Sequence, residues 1–173
     1  MGELREGSQR RGLRQGGRRH ARVRGGLRTS RDPGCGSERG NHPFGAVLVD
    51  SASRVLLEAE NSVLTDRDPT AHAELSLIRM AGAQYDPSAL SACTLYASTE
   101  PCPMCSGAIY WGGVRRLVYG LGQAGFYELA GGGKLVLSCR EVLAAASERL
   151  EVVGPLIEDE AARVHEGFWS QAS

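Results

Sequence analysis

The sequence predicts an α/β fold in which helices cover a single mixed β-sheet. Five short apolar segments of strand character alternate with helical segments, which is typical of one central sheet with helices packed on it. The first two strand segments are joined by a tight turn, so they form an antiparallel hairpin, whereas the later segments are separated by helices. A chain of 173 residues with 42% hydrophobic content is long enough for one domain with a substantial core.

The strand segments are short apolar runs bounded by turn residues. Residues 45–49, GAVLV, form the first strand, DSAS at 50–53 forms the turn, and residues 54–59 return as the second strand. The other three strands are predicted at residues 93–98, 115–121 and 150–155.

The helical segments are recognised by their start and stop signals. In DPTAHAELSLIRMAG, Asp68 can cap a helix, Pro69 suits the first helical position and Gly82 ends it. Further helices are predicted at residues 103–111, 138–146 and 156–169, and loops at residues 60–68 and 122–134. The last helix is predicted from apolar residues that recur at spacings of three and four, which form an amphipathic stripe.

Charged residues are unevenly distributed along the chain. Residues 1–40 contain eleven Arg and four acidic residues, whereas residues 41–173 contain nine basic and sixteen acidic residues. The first stretch is rich in Gly and has no helical or strand period, so it has no face to bury. We expect a disordered Arg/Gly-rich tail at 1–40, with a basic arm that contacts a polyanion as the alternative, and one folded domain at 41–173.

The composition excludes several classes of protein. No run approaches the roughly 18 apolar residues of a membrane span, and the first residues lack the apolar segment of a secretory signal. Five cysteines are an odd number in such a chain, so we expect reduced thiols and metal ligands and no disulfide framework. These observations predict a cytoplasmic protein without a membrane partner.

The stretch TEPCPMCSGAIYW, residues 99–111, contains the C-x-x-C pair Cys102 and Cys105. Such a pair can be a redox dithiol, half of a structural zinc site or part of a catalytic zinc site. At the start of a helix, two side chains three residues apart share one face, and the helix N-terminus stabilises the thiolates that bind metal. The pair alone does not decide among the three.

A third ligand and a general base occur at the start of the preceding helix, in the sequence TAHAE. His72 and Glu74 are two residues apart, and in the first helical turn both side chains can reach past the helix end. One His and two Cys give zinc three protein ligands and leave a fourth position for water, as in catalytic zinc sites. A structural zinc would need a fourth protein ligand, and Cys93 and Cys139 have no partner at ligand spacing.

H-x-E followed some thirty residues later by P-C-x-x-C is the signature of zinc deaminases that act on nucleobases. With these motifs, and with PFGAVLVD and EPCPMCSGAIYW, the chain from about Asn41 to Leu121 closely resembles the cytidine-deaminase-like superfamily. The similarity is greatest to its guanine deaminase and tRNA adenosine deaminase branches. The resemblance implies a three-layer α/β/α sandwich around a five-stranded mixed sheet, one zinc ion per chain and usually a homodimer.

The resemblance also implies roles for single residues. Zinc lowers the pKa of bound water to about 7. Glu74, which is not a ligand, takes the water proton and delivers protons to the ring nitrogen and the leaving amine. Asn61 matches the Asn that hydrogen-bonds the base, Phe44 matches a residue that lines the base pocket, and the Ala73 backbone contacts the base. Glu128, in AGFYE, resembles the acid that guanine deaminases carry after the fourth strand.

These features favour a small-molecule purine, guanine above all, as the substrate. Guanine presents N1–H and an exocyclic amine, both donors, to an acceptor such as Glu128. The acidic balance of residues 41–173 leaves few basic side chains for the phosphates of a tRNA, so a nucleic-acid partner is not expected. A tRNA adenosine deaminase is the alternative prediction, and a zinc-binding protein of this fold with weak catalytic activity is a further one. Cytosine and nucleosides stay open as substrates.

Overall fold

A five-stranded mixed sheet forms the centre of the computed structural model, which describes residues 40–133 and 135–169. The strands are β1 (Gly45–Val49), β2 (Val55–Glu60), β3 (Thr94–Thr99), β4 (Arg116–Leu121) and β5 (Glu151–Val153). They lie in the order β2-β1-β3-β4-β5. β1 is antiparallel to β2 and β3, whereas β4 is parallel to β3 and β5. The predicted hairpin and mixed sheet are therefore confirmed.

Seven helices of the described residues lie between and after the strands. They are α1 (Val63–Asp66), α2 (Ala73–Gly82), α3 (Pro87–Ser91), α4 (Pro103–Trp111), α5 (Gln123–Ala130), α6 (Cys139–Ala144) and α7 (Glu158–Ala162). α2 and α4 pack together on one face of the sheet, and α7 packs on β4 at the other face, so the arrangement is a three-layer α/β/α sandwich. None of these helices combines the length and the apolar character that crossing a membrane requires.

The buried side chains follow the alternation of the strands, because successive residues of a strand point to opposite faces. The face under α2 and α4 carries the larger core, whose fully buried members include Leu48, Leu77, Leu95, Ile109 and Leu117. On the opposite face Tyr96 and Val118 are buried, and Ile157 packs against them. Full burial of one such aliphatic side chain contributes about 1.5–3 kcal/mol. This core holds the two helices that begin at the metal centre described below.

Helix α4 has the predicted bounds, but α2 begins later than predicted. The carboxylate of Asp68 accepts hydrogen bonds from the backbone N–H and the hydroxyl of Thr70. This local turn uses the side chain that was expected to cap the helix. The residue that precedes the first helical turn is His72, in an extended conformation.

The loop predicted at 122–134 is wrong over most of its length, because α5 occupies residues 123–130. The carboxylate of Glu100 accepts the N–H of Gln123 at the first turn of this helix. Gly131 ends the helix with a φ of 77°, a left-handed conformation that favours glycine. The predicted loop at 60–68 likewise contains the short helix α1, and α3 was not predicted.

The last helix is much shorter than the predicted span of 156–169. α7 ends at Ala162, and the chain continues to Trp169 in turns whose bonds join residues three apart, such as His165 N–H to Ala162 O. The predicted apolar stripe still packs on the sheet through Ile157 and Ala161. The tail predicted at 1–40 lies outside the described residues, except for Gly40, and stays a prediction.

Candidate metal centre

The side chains of His72, Cys102 and Cys105 meet where α2 and α4 begin. His72 immediately precedes α2 and Cys102 immediately precedes α4, each with the extended backbone typical of a residue that starts a helix. Cys105 lies in the first turn of α4, and Pro103 takes the first helical position. The positive ends of both helix dipoles therefore point to this region, which favours thiolates.

The distances among these three side chains fit a tetrahedral zinc ion. Nδ1 of His72 lies 3.7 Å from Sγ of Cys102 and 3.5 Å from Sγ of Cys105. Usual zinc bond lengths place a nitrogen and a sulfur ligand about 3.6 Å apart in tetrahedral geometry. Within residues 40–133 and 135–169, no fourth His, Cys, Asp or Glu joins the group. The donor set therefore suits a catalytic zinc, with one position left for water.

Hydrogen bonds among the ligands decide which of them is charged. The hydrogen bond from Cys105, followed by that with His72, lowers the pKa of Cys102 to about 4. The same contact, together with burial, raises the pKa of Cys105. The pKa of His72 is raised, chiefly by its hydrogen bond with Cys102. Cys102 therefore loses its proton more readily than Cys105, and a metal cation would take the place of the protons that these side chains share.

Glu74 lies beside the ligands without joining them. It is the second residue of α2 and is 8% exposed. Its Oε2 accepts the Cys105 thiol at 3.7 Å. Burial raises the pKa of Glu74 to about 7. A carboxyl group with this pKa is ready to accept and to release a proton near neutral pH.

Three predicted base-binding residues lie on segments joined to the metal centre. Asn61 is 1% exposed; its N–H donates to Phe44 O, and its side-chain oxygen accepts the N–H of Val63. Ala73 is fully buried at the first position of α2, next to His72. Since its oxygen accepts one hydrogen bond, the Asn61 side chain can offer a ligand its amide nitrogen and the second lone pair of that oxygen.

Glu128, the fourth predicted base-binding residue, is exposed on α5. Its neighbour two residues earlier, Phe126, is half-buried and contacts Phe44 at a ring-centroid distance of 5.2 Å. Phe126, which the sequence interpretation did not single out, is thus a residue of α5 that contacts the predicted base-binding residue Phe44.

Glu100 was also missed as a site residue, although it lies within the quoted motif TEPCPMC. One carboxylate oxygen accepts the N–H of Gln123 at 3.0 Å, and the other accepts the N–H of Cys139 at 2.9 Å. These bonds join the segment before Cys102 to the first residues of α5 and α6. Glu100 therefore fixes the position of the ligand segment. The sequence feature that could have identified Glu100 is its position as an acid directly before the P-C-x-x-C motif.

The buried imidazole of His165 should make the stability of the folded protein depend on pH. The side chain is 1% exposed, and burial lowers its pKa from 6.5 to about 4. Since the folded protein binds this proton less readily than the unfolded chain, the contribution is fully present above pH 6.5 and is lost as the pH falls through about 4. Between about pH 7 and pH 4, the wild type should lose about 3 kcal/mol more stability than His165→Gln. Denaturant unfolding at both pH values measures this difference, and equal losses would contradict it.

Comparison with known proteins places these features in a family. Residues 32–121 match the family described as "Cytidine and deoxycytidylate deaminase zinc-binding region". The "Probable cytosine deaminase" of Schizosaccharomyces pombe is 44% identical over 137 residues, which cover 76% of this chain and 82% of that protein. The guanine deaminase of Bacillus subtilis is 48% identical over 77 residues, which cover 44% of this chain and 49% of that protein. A solved mutant of the protein NE0047 in complex with 8-azaguanine is 26% identical, with a TM-score of 0.74 over 88% of this chain and 85% of that chain.

Proposed function

Because the chain belongs to the cytidine and deoxycytidylate deaminase family, we propose that it deaminates a free nucleobase, with guanine as substrate and xanthine and ammonia as products. The protein is a zinc-dependent hydrolase that acts on C–N bonds, as its family is. The observation that carries the choice of guanine is the similarity to NE0047, whose mutant was solved with bound 8-azaguanine. The acidic balance of residues 41–173 also disfavours a polyanionic substrate.

The side chains of the site account for the proton transfers of such a reaction. Zinc held by His72, Cys102 and Cys105 supplies a Lewis acid that lowers the pKa of water. Glu74 takes one proton from the attacking water and passes it to the ring nitrogen. It then takes the remaining proton of the added hydroxyl group and passes it to the exocyclic amine. The water oxygen stays on the ring carbon, the C–N bond breaks, and ammonia leaves. A pKa of about 7 for Glu74 suits both halves of this transfer.

The base is proposed to lie between Phe44, Asn61 and the backbone of Ala73. The amide nitrogen of Asn61 would donate to the base, and Phe44 would contact its face or edge. The backbones of these two residues are joined by the hydrogen bond from the Asn61 N–H to Phe44 O, and the side-chain oxygen of Asn61 accepts the N–H of Val63. Preorganised groups of this kind discriminate strongly against ligands that leave them unpaired.

Glu128 is proposed to accept the donor edge of guanine. We expect Glu128→Gln to lower kcat/KM for guanine by about tenfold or more, because a hydrogen bond to a charged acceptor is lost. Zinc content should stay unchanged. Glu58→Gln, which alters an exposed acid on β2, is the matched control and should keep its activity. An unchanged kcat/KM for Glu128→Gln would remove this residue from the substrate site.

We also propose that the protein is a homodimer. Met104 and Trp111 are 38% and 85% exposed and lie seven residues apart on α4, so they share one face of that helix. A second copy of the chain is the proposed partner of this face. Sedimentation equilibrium should give twice the chain mass for the wild type, and a monomeric mass would contradict the proposal.

Cytosine is the second candidate substrate. It is supported by the 44% identity to the cytosine deaminase relative, a match that covers most of both chains. Deamination of cytosine would use the same proton transfers by Glu74 and give uracil and ammonia. The alternative substrate predicted from the sequence is adenosine in tRNA. It would require the basic residues at 1–40 to supply the contacts to the tRNA phosphates.

A product assay over several bases tests the proposed function. Zinc-loaded full-length protein is incubated separately with guanine, guanosine, cytosine, cytidine, adenine, adenosine and tRNA, and ammonia and the deaminated product are both measured. We expect xanthine from guanine at the highest kcat/KM. Uracil from cytosine at a higher kcat/KM would select the second candidate, and inosine in tRNA the third. Full zinc occupancy without ammonia from any substrate would indicate a catalytically weak protein.

A further inference from the structure

The two helices that follow β4 both begin at the side chain of Glu100. Its Oε2 accepts the N–H of Gln123, the first residue of α5, at 3.0 Å. Its Oε1 accepts the N–H of Cys139, the first residue of α6, at 2.9 Å. Gln123 is 8% exposed and Cys139 is fully buried. Both ends of residues 123–139, which we call the tied segment, are therefore fastened to one carboxylate.

The start of α5 depends on a hydrogen-bond acceptor from elsewhere in the chain. Gly122, the residue before α5, has no side chain with which to cap the helix. At α6, Ser138 accepts the N–H of Glu141, and Glu141 in return accepts the N–H of Ser138. This capping box leaves the N–H of Cys139 to Glu100. A carboxylate at a helix N-terminus is also favoured by the helix dipole, so Glu100 stabilises both helix starts.

The backbone of Glu100 leads directly to a metal ligand. Its N–H donates to Leu121 O at 2.8 Å, which holds the end of β3 on β4. Cys102 follows two residues later. The carbonyl oxygen of Pro101, which lies between them, accepts the hydroxyl of the buried Ser106 at 3.1 Å. Because this link is short and held by hydrogen bonds, the positions of the Cys102 thiol and of the Glu100 carboxylate depend on each other.

The charges of Cys102 and Glu100 act on side chains of the tied segment. Burial, followed by the charge of Cys102 and then that of Glu100, raises the pKa of Tyr127 on α5. The Tyr127 hydroxyl donates to Leu135 O at 3.1 Å, so it holds α5 to the chain that leads to α6. Burial, followed by the charge of Glu100, raises the pKa of Cys139 to about 12. The tied segment therefore lies close to the metal centre as well as being fastened beside it.

We propose that Glu100 is a positioning residue that couples zinc binding to the placement of the tied segment. Zinc fixes Cys102, the short link fixes the Glu100 carboxylate, and this carboxylate holds the N–H groups at which α5 and α6 begin. Coupling between two sites is reciprocal, so loss of the bonds to the tied segment weakens zinc binding by the factor by which loss of zinc weakens those bonds. Glu100 lies outside the group of metal ligands. The inference does not depend on which base the protein deaminates.

Amide hydrogen exchange, followed by NMR on the full-length protein, tests the coupling from the side of zinc. When zinc is removed from the wild type, exchange at the amides of Gln123 and Cys139 should become about tenfold faster. The amide of Glu141, which is bonded within the capping box, is the reference and should change little. Equal exchange of the two tied amides with and without zinc would overturn the proposal.

Glu100→Gln should remove this dependence on zinc. A Gln side chain has one oxygen, and its NH₂ group would face the second donor, so it cannot keep both hydrogen bonds. Exchange at the amides of Gln123 and Cys139 should therefore be fast in this variant whether or not zinc is bound. Protection that still follows zinc in Glu100→Gln would show that another contact couples the two parts.

Zinc affinity tests the coupling from the side of the tied segment. The zinc Kd, measured by competition with a chromophoric chelator, should rise roughly tenfold in Glu100→Gln. Glu141→Ala is the matched control, because it removes the local cap of α6 but leaves both bonds of Glu100. Its zinc Kd should stay within about twofold of the wild-type value. An unchanged Kd in Glu100→Gln, or an equal rise in Glu141→Ala, would contradict the role of Glu100.

Gln123→Pro removes one of the two donors while Glu100 is kept. Proline suits the first position of a helix, and Gly122 already has the extended backbone, with φ −73° and ψ 156°, that a residue before proline prefers. This variant should also bind zinc more weakly. The double variant with Glu100→Gln and Gln123→Pro should bind zinc no more weakly than Glu100→Gln alone, since the bond has already been lost. Multiplying effects would show that Glu100 acts on zinc by another route, and would overturn the proposal.

Discussion

Replacing Glu74 by alanine is expected to lower the rate of ammonia release by roughly 10²- to 10⁴-fold, because the proton carrier of the reaction is removed. The zinc ligands are separate side chains, so the variant should still bind one zinc per chain. Because a buried carboxyl with a raised pKa is replaced by a small apolar group, stability near neutral pH should not fall greatly. Ammonia release, zinc content and the unfolding midpoint are measured on the same preparation.

Glu74→Gln is the matched variant for this measurement. It keeps the size and the hydrogen-bonding capacity of the side chain but cannot carry a proton, so it should be as inactive as Glu74→Ala. Glu58→Gln changes an exposed acid and should be fully active. A rate near that of the wild type in either Glu74 variant would show that another group moves the proton.

The second large effect, on zinc content and stability, is expected when a cysteine of the metal centre is replaced. Cys102→Ser or Cys105→Ser should remove the bound zinc, since a serine hydroxyl is a poor substitute for a thiolate ligand. Metal that binds only the folded state stabilises it, so its loss should also lower the free energy of unfolding. A loss of about 3 kcal/mol would lower the thermal midpoint by roughly 10 °C in a chain of this size. Elemental analysis and thermal unfolding measure both effects.

Cys93→Ser is the control for the loss of a buried thiol. Cys93 is 5% exposed, and its thiol donates to Ala89 O, a bond that a serine hydroxyl can also make. This variant should keep its zinc. Full zinc occupancy in a variant that lacks both Cys102 and Cys105 would show that the metal lies elsewhere.

The parts of the fold that the sequence predicts are those specified by neighbouring residues. The hairpin of β1 and β2 follows from two apolar runs around DSAS, and α4 follows from Pro103 at its start and Gly112 after its end. The meeting of His72, Cys102 and Cys105 was predictable because each motif lies within a few residues at the start of one helix. The spacing of residues within each motif is therefore enough to identify the types of ligand, and the packing of both helices on the sheet brings these ligands together.

The remaining features depend on contacts between distant residues. α5 lies in a segment whose glycines indicate a loop, and its first turn is capped by Glu100, which lies 23 residues away. The last helix ends early although its apolar stripe continues, because the chain turns to place His165 against Thr99, 66 residues away. The rings of His42 and Phe44 contact those of Trp169 and His165 from the other end of the described domain, and no local pattern indicates that they meet.

The dependence of base deamination on zinc tests the central claim most directly. Full-length protein is stripped of metal with a chelator, divided, and assayed with guanine and cytosine before and after one equivalent of zinc is restored. The account predicts no product from the stripped protein, and ammonia together with xanthine, or with uracil for the second candidate, after zinc is restored. Equal rates in the stripped and the reloaded protein would contradict the assignment of His72, Cys102 and Cys105 as a catalytic zinc site.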